Sequence, residues 1–444
     1  MTTSRAVAFR ALLQLEQGRC QRVREALERG FRAPGERLPP RDMAFAWELA
    51  HGVVRNERWL DAILATFAHR GMPKDPALLC AIRLGAFQLL MVPGMPAHAA
   101  VHETVALLHR NQAFANAMLR SIARNLVDRP ADPSLPATEV PVGAARTLVL
   151  ESPGLGPLFA AHDPLAVRHS LPDWLVARWR AVHGERAASV CEACSTVPHV
   201  HLRATEHAGS AERLREQLAV DGVRTGPTDH PSVLRWTGGE SPFATRAWRE
   251  GWCVVQDPTA LRAAEALAVL PGETVVDLCA APGTKTMLLA EKVGPGGHVH
   301  AHDVDPLRCQ RIRENVARLH FGDRVTVVED ASLLPRADAV LADVPCSNSG
   351  VLGRRVEVRH RITEAAVREL TAVQRELLEQ AVALVRPGGR VAYSTCSIEP
   401  EENEQVVRSV LRPGVVLLSE RLTLPVAGAC DGGYVAVLQV GERA

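Results

Sequence analysis

The chain has 444 residues, of which 47% are hydrophobic and 23% charged, and a formal net charge of +1. At ~100–200 residues per domain this length needs two to four domains, and the composition excludes a disordered chain. No apolar run approaches the ~18 residues of a membrane span, Met1 to Glu16 is charged and amphipathic rather than a leader, and ten cysteines are too sparse for a disulfide scaffold, so a cytoplasmic protein with no membrane partner is expected.

Residues 4–127 read as helices throughout. Arg41–Ala68 sets Phe45, Leu49, Val53, Leu60, Leu64 and Phe67 at helical spacings. Ala77–Met91, Ala97–Leu108 and Ala113–Leu126 repeat the pattern, with glycine and proline falling between segments. An all-α bundle over residues 1–130 is expected. It holds 18 Lys+Arg against 11 Asp+Glu, whereas residues 131–444 hold 33 against 39. A basic front on a near-neutral chain points to a polyanion, most simply nucleic acid, although an arginine-rich solvated surface gives the same count. Only Lys74, Lys285 and Lys292 are lysines, so a lysine here marks a position where a compact ammonium is needed.

Arg129–Pro172 is rich in proline and glycine, and residues 131–170 read as a linker with a short strand at Thr147–Leu150. Residues 171–250 read as a small α/β module. Its helices are Trp174–His183, Ala187–Ser195 and Ala211–Asp221, and its strands His199–Ala204 and Val233–Trp236. From 251 to 444 apolar runs alternate with amphipathic helices. The strands are Thr274–Cys279, His298–Val304, Val325–Glu329, Ala339–Val344, Val391–Ser394, Val415–Leu418 and Tyr434–Val440. Such alternation means a mostly parallel sheet covered on both faces. Tyr434–Val440, after Asp431, Gly432 and Gly433, is expected as an antiparallel hairpin edge.

Ligands of such sheets bind at the carboxyl ends of the strands. The first strand ends in Asp277, Leu278, Cys279, Ala280, Ala281, Pro282, Gly283, Thr284 and Lys285, a run of small residues that lets backbone approach a ligand. It lacks both G-x-G-x-x-G and the adjacent Gly-Lys of a phosphate loop. Asp303 and Asp305 follow the second strand, suited to ribose hydroxyls, and Asp330 follows the third, suited to an adenine amino group. Acids without a phosphate cradle fit S-adenosylmethionine better than a nicotinamide dinucleotide.

Asp343 and Cys346 follow the fourth strand, and Cys396 the fifth. If those strands are neighbours, ~4.8 Å apart, two thiols meet beside a methyl donor. Carbon 5 of cytosine is a poor nucleophile until a thiolate adds at carbon 6; a hydrogen-bond donor at the ring nitrogen assists, and a base must later remove the carbon-5 proton. Cys396, Asp343 and Cys346 can fill those roles. Pro400 reads as the first residue of a helix Glu401–Leu411, whose N-terminus favours a Cys396 thiolate against the opposing Glu399, Glu401 and Glu402.

The motifs DLCAAPGTKT (277–286), DVDPLR (303–308), DVPCSNSG (343–350) and STCSIEPEENEQVV (394–407), with VQDPTALRA (255–263), resemble the bacterial ribosomal RNA cytosine-C5 methyltransferases of the RsmB/Sun type. RDMAFAWELAHGVVRNERWLD (41–61) and RLGAFQLLMVPGMPAHAAVHETV (83–105) resemble the helical domain shared with the antitermination factor NusB. The resemblance implies a Rossmann-like class I methyltransferase domain, a NusB-like RNA-binding bundle ahead of it, and small-subunit ribosomal RNA as partner, with no obligate protein partner. It implies Cys396 as nucleophile, Cys346 in product release, Asp343 and Lys285 in the catalytic set, and S-adenosylmethionine held by residues 279–285 with Asp303, Asp330 and Asp343. DNA cytosine methyltransferases use the cysteine of the PC motif instead, so the division of roles rests on the resemblance. Thr284 stands where the family usually has glycine, and Arg355, Val356 and Glu357 replace its usual Asn-Pro-Asp, a region expected to meet RNA. The competing readings are a methyltransferase acting on tRNA or DNA and a non-catalytic RNA-binding factor, against which the intact thiol pair argues. Cys191 and Cys194 with His199 and His201 lack the second pair of a zinc site, so no metal is expected. Cys80 and Cys309 read as core.

Overall fold

The computed structural model describes residues 3–32, 38–69, 71–142, 146–151 and 154–441. Met1 lies outside the described residues. The chain forms two compact units, one of residues 1–195 with 359–361, the other of 196–358 with 362–444.

The first unit opens with seven helices: Ser4–Glu16, Val23–Phe31, Pro40–Arg55, Glu57–Phe67, Pro76–Met91, Ala97–Val105 and Gln112–Arg124. The expected single run Arg41–Ala68 is two helices broken at Asn56, whose side-chain amide donates to the Gly52 carbonyl at 2.8 Å and ends the first of them. Pro76–Met91 is the central helix, started by Asp75, which accepts from the Ala77 amide, and buried along most of its length. Its neighbours approach closely because Gly52 lies under the Phe87 ring and Gly85 under Leu119, where an added methyl would overlap the side chain. Arg83, on this helix, is buried among Glu16, Glu57 and Asp61.

The stretch expected as linker is more structured than its composition suggests. Strands Leu126–Val127, Glu139–Pro141 and Thr147–Val149 form a three-stranded antiparallel sheet, and helices Gly156–Ala161 and Pro164–Arg168 follow. Elements of two to six residues are too short to show a period, which is why proline and glycine dominate the reading there. Helices Asp173–His183 and Ala187–Ser195 belong to this same compact unit. Cys191 and Cys194 are buried on the latter helix, and Cys80 is buried as well.

The second unit begins with a four-stranded antiparallel sheet in the order Val223–Pro227, Val233–Gly239, His201–Ala204, Cys253–Val255. Helix Ala211–Val220 covers it through Leu214 and Leu218. The first and last of these strands were not expected. Cys253–Val255 pairs with His201–Ala204, so the small sheet extends past residue 250.

The large sheet has seven strands: β1 Thr274–Asp277, β2 His298–His302, β3 Val325–Val328, β4 Ala337–Asp343, β5 Val385–Thr395, β6 Val415–Thr423 and β7 Gly433–Val440. Their spatial order is β3-β2-β1-β4-β5-β7-β6, and β7 alone runs against its neighbours. This corrects one expectation: β7 forms the hairpin with β6 but lies inside the sheet, and β6 is its edge. One apolar layer gathers Leu261, Met287 and Ile312, the other Leu378, Val382 and Val406, so both faces are covered. No helix among the described residues is long and apolar enough to cross a membrane.

Candidate active site

Strand order reverses between β1 and β4, and a cleft of about 260 Å³ opens at the carboxyl ends of these central strands. Asp277 ends β1 at 1% exposure, with Oδ2 accepting from the Thr286 hydroxyl at 2.7 Å and Oδ1 without a partner among the described residues. Burial, reinforced by Asp343, pushes its carboxyl up to about 7, against the Thr286 hydrogen bond. The chain then turns through Gly283, at φ +99°, into helix Thr284–Val293. Only a residue without a β-carbon holds that conformation cheaply.

The loop is tied to β2. The Ala280 amide donates to the His302 carbonyl at 2.8 Å, and the Ala281 amide to Asp303 Oδ2 at 3.3 Å. Asp303 is thus held beside the 279–285 loop, nearly buried. Cys309, a core residue as expected, donates its thiol to the Asp303 carbonyl at 3.1 Å. Asp330 is exposed; its Oδ1 accepts from the Ser332 amide at 2.9 Å, and it does not line the cleft.

Asp343 and Ser394 are register partners on β4 and β5, as adjacency of those strands requires. Asp343 Oδ1 accepts from the Ser394 hydroxyl at 2.5 Å and Oδ2 from Lys285 Nζ at 2.5 Å. Both oxygens of this carboxyl group thus have partners among the described residues. Burial lowers the Lys285 pKa, but Asp343 outweighs it and keeps the ammonium charged.

Beyond the ends of these two strands Cys346 Sγ and Cys396 Sγ are 3.2 Å apart, both free thiols. Cys346 donates to Cys396, and this contact with burial holds the Cys346 proton on well above the usual thiol range. The same hydrogen bond, with the positive charges of Arg355 and Lys285, lowers Cys396 against burial and Asp343. Cys396 is therefore the more readily ionised thiol of the pair. As a thiol it donates instead to Asn348 Oδ1 at 3.3 Å. Asn348 sits at φ 63° and anchors its amide on the Cys346 carbonyl at 2.6 Å.

The helix expected to start behind Pro400 starts at Glu404, so no helix N-terminus acts on Cys396. Pro400 to Asn403 form turns that direct Glu402 inward. Fully buried, it accepts from the Ser347 amide at 2.7 Å, from Gln374 Nε2 at 2.9 Å, and from the hydroxyls of Ser347 and Ser397, both at 2.5 Å. Glu402 thus braces both thiol loops, and its charge helps to keep the proton on Cys346. The sequence reading missed Asn348 and Glu402 as site-building residues, although both lie inside the quoted motifs. Arg355 lines the cleft next to these residues. Beneath it Arg354 bridges Asp257 and Asp431 and donates to the His199 carbonyl. No group of three or more His, Cys, Asp or Glu suited to a metal ion is present among the described residues.

A Rossmann-like sheet in this order, with a small-residue loop and acids at its carboxyl ends, defines a class I methyltransferase fold. A family model described as 16S rRNA methyltransferase RsmB/F matches residues 264–428, the NusB family model matches 2–124, and an RsmF/B-like ferredoxin-like domain matches 171–238. A probable ribosomal RNA small subunit methyltransferase B of Synechocystis sp. is 32% identical over 84% of this chain and 82% of its own. The ribosomal RNA small subunit methyltransferase B of Proteus mirabilis is 30% identical, over 84% of each chain. The solved structure titled PH0851 matches in fold over 98% of both chains, with a TM-score of 0.73 at 24% identity. A methyltransferase homolog from Pyrococcus horikoshii is 27% identical, covers 62% of this chain and 97% of its own, and has a TM-score of 0.55. The chain belongs to the RsmB/F family of S-adenosylmethionine-dependent ribosomal RNA methyltransferases.

Proposed function

We propose that the protein methylates carbon 5 of a cytosine in small-subunit ribosomal RNA, in the cytoplasm, through a covalent bond between Cys396 and carbon 6 of the base. The observation that carries this reading is the pair of free thiols 3.2 Å apart beside Lys285 and Asp343. A binding protein has no use for two thiols in contact, one of which ionises more readily than the other.

The donor set suits the methyl donor. Asp277 has a buried oxygen without a partner, and Asp303 and Asp343 lie near the small-residue loop. Acids of this kind accept from ribose hydroxyls and an ammonium and repel phosphate. Residues 279–285 with Asp303 and Asp343 would hold S-adenosylmethionine, and Asp330 would accept from the adenine amino group. When bound, S-adenosylmethionine supplies an electrophilic methyl group.

Cys396 adds as thiolate to carbon 6 and makes carbon 5 nucleophilic. Asp343 accepts from the cytosine amino group, while Lys285 donates to the ring face that gains electron density. After methylation the carbon 6–sulfur bond breaks as the leaving sulfur of Cys396 takes the S–H proton of Cys346, and the Cys346 thiolate so formed receives the carbon-5 proton, which restores the ring double bond. Bisulfite sequencing of small-subunit RNA from cells lacking the protein tests this: one methylated cytosine should disappear, return with the wild-type chain and stay absent with Cys396→Ala. An unchanged methylation pattern contradicts the reading.

A further inference from the structure

In the helical unit, helices Ala97–Val105 and Gln112–Arg124 enclose an open groove of about 760 Å³. Its rim carries His98, His102, Gln112, Asn116, Arg120 and Arg124, and its floor is apolar, with Val101 buried. Among the described residues, no carboxylate lines it. Arg124 and His98 have no hydrogen-bond or ion-pair partner among the described residues. Arg120 uses only Nε, on Asn116 Oδ1 at 3.0 Å, leaving both terminal nitrogens free. His102 lies 3.5 Å from Glu103, which is not part of the groove's lining. This contrasts with Arg83 of the same unit, whose charge three acids neutralise.

We infer that this groove is where the helical unit holds the phosphodiester backbone of its RNA, with Arg120 and Arg124 as the principal phosphate contacts. The inference rests on RNA being the substrate. The two arginines stand one helical turn apart on one face, ~6 Å along the axis, so their guanidinium groups form a row. A row of unneutralised cations matches a line of phosphates, and each guanidinium can grip one in bidentate fashion. The amides of Gln112 and Asn116 add donors without adding charge. The apolar floor between the rims gives a stacked base or sugar a dry surface. An acidic protein offers discrete carboxylates rather than a continuous line of charge.

The test uses the full-length protein and an unmodified transcript of small-subunit ribosomal RNA. Affinity is measured over a series of salt concentrations. Arg120→Gln/Arg124→Gln should bind at least about tenfold more weakly, with a salt dependence shallower by roughly one to two ions, as loss of two phosphate contacts demands. Arg120→Lys/Arg124→Lys should keep most of the salt dependence. Arg24→Gln, which removes an exposed arginine already paired with Glu28, should bind as wild type does. Helix content by far-ultraviolet circular dichroism, with the thermal unfolding profile of the same preparations, reports that the helical unit of the glutamine variant is folded. A glutamine variant that binds with wild-type affinity and salt dependence overturns the groove assignment while leaving RNA as substrate. A wild-type protein that does not bind the transcript removes the RNA reading on which the inference rests.

Discussion

At the residue scale, the site turns on charge placed around sulfur. Cys396 is lowered by Cys346, Arg355 and Lys285, so it ionises below the usual thiol range and the rate of adduct formation should rise with pH there. Removing a cation raises the thiolate pKa. Lys285→Met and Arg355→Gln should therefore each move the rising limb to higher pH, the latter further because Arg355 is the stronger of the two charges acting on Cys396. A limb that stays in place in both variants contradicts the electrostatic account. Asp303→Ala should weaken S-adenosylmethionine binding by about 10- to 100-fold, the cost of a charge-assisted hydrogen bond of ~1.5–3 kcal/mol, with RNA affinity nearly unchanged; calorimetry checks this. The two cysteines, Lys285 and the acids were legible in the sequence because chemistry needs those residue types at strand ends. Glu402 was not, because its role depends on a turn that points it into Ser347 and Ser397, and a linear motif does not record direction.

At the element scale, three loops are pinned together by backbone. The Gly350 amide donates to the Cys396 carbonyl at 3.0 Å, and the Gly432 amide to the Gly350 carbonyl at 2.8 Å. A methyl on Gly350 would meet the Gly432 carbonyl carbon at 2.7 Å and the Cys396 carbonyl oxygen at 2.9 Å, neither of which can yield without moving the thiol. Gly350→Ala should lower the turnover rate by about tenfold or more, since small misplacements of reacting groups are costly, while S-adenosylmethionine binding holds. Unchanged turnover would show that the loops have slack. The alternation of apolar runs with helices revealed the seven strands of the large sheet. It did not reveal β7 inside β6, because strand order is not written in hydrophobic period. The strands Leu126–Val127, Glu139–Pro141, Val223–Pro227 and Cys253–Val255 were hidden by shortness and by glycine and proline within or beside them.

At the scale of the whole molecule, the second unit contains the entire cofactor cleft, and ligand binding adds to its stability by mass action. S-adenosylmethionine at about 100 times its dissociation constant should stabilise the protein by ~2.7 kcal/mol, visible as a rise in thermal midpoint that Asp303→Ala reduces at the same ligand concentration. No rise in the wild type would contradict the proposed cleft. The charge asymmetry between residues 1–130 and the remainder was legible from counting alone, but counting could not separate Arg83, spent on internal acids, from Arg120 and Arg124, which face a groove.

The central claim is that Cys396 bonds to the base and Cys346 releases it. The most direct measurement is a denaturing gel of each cysteine variant after incubation with substrate RNA and S-adenosylmethionine. Cys346→Ala should accumulate a slow-migrating RNA-linked band, because attack and methylation proceed while expulsion of Cys396 stalls. Cys396→Ala and the double variant should show none. A band with Cys396→Ala and none with Cys346→Ala would mean that the roles are reversed, and no band from any variant would remove the covalent step.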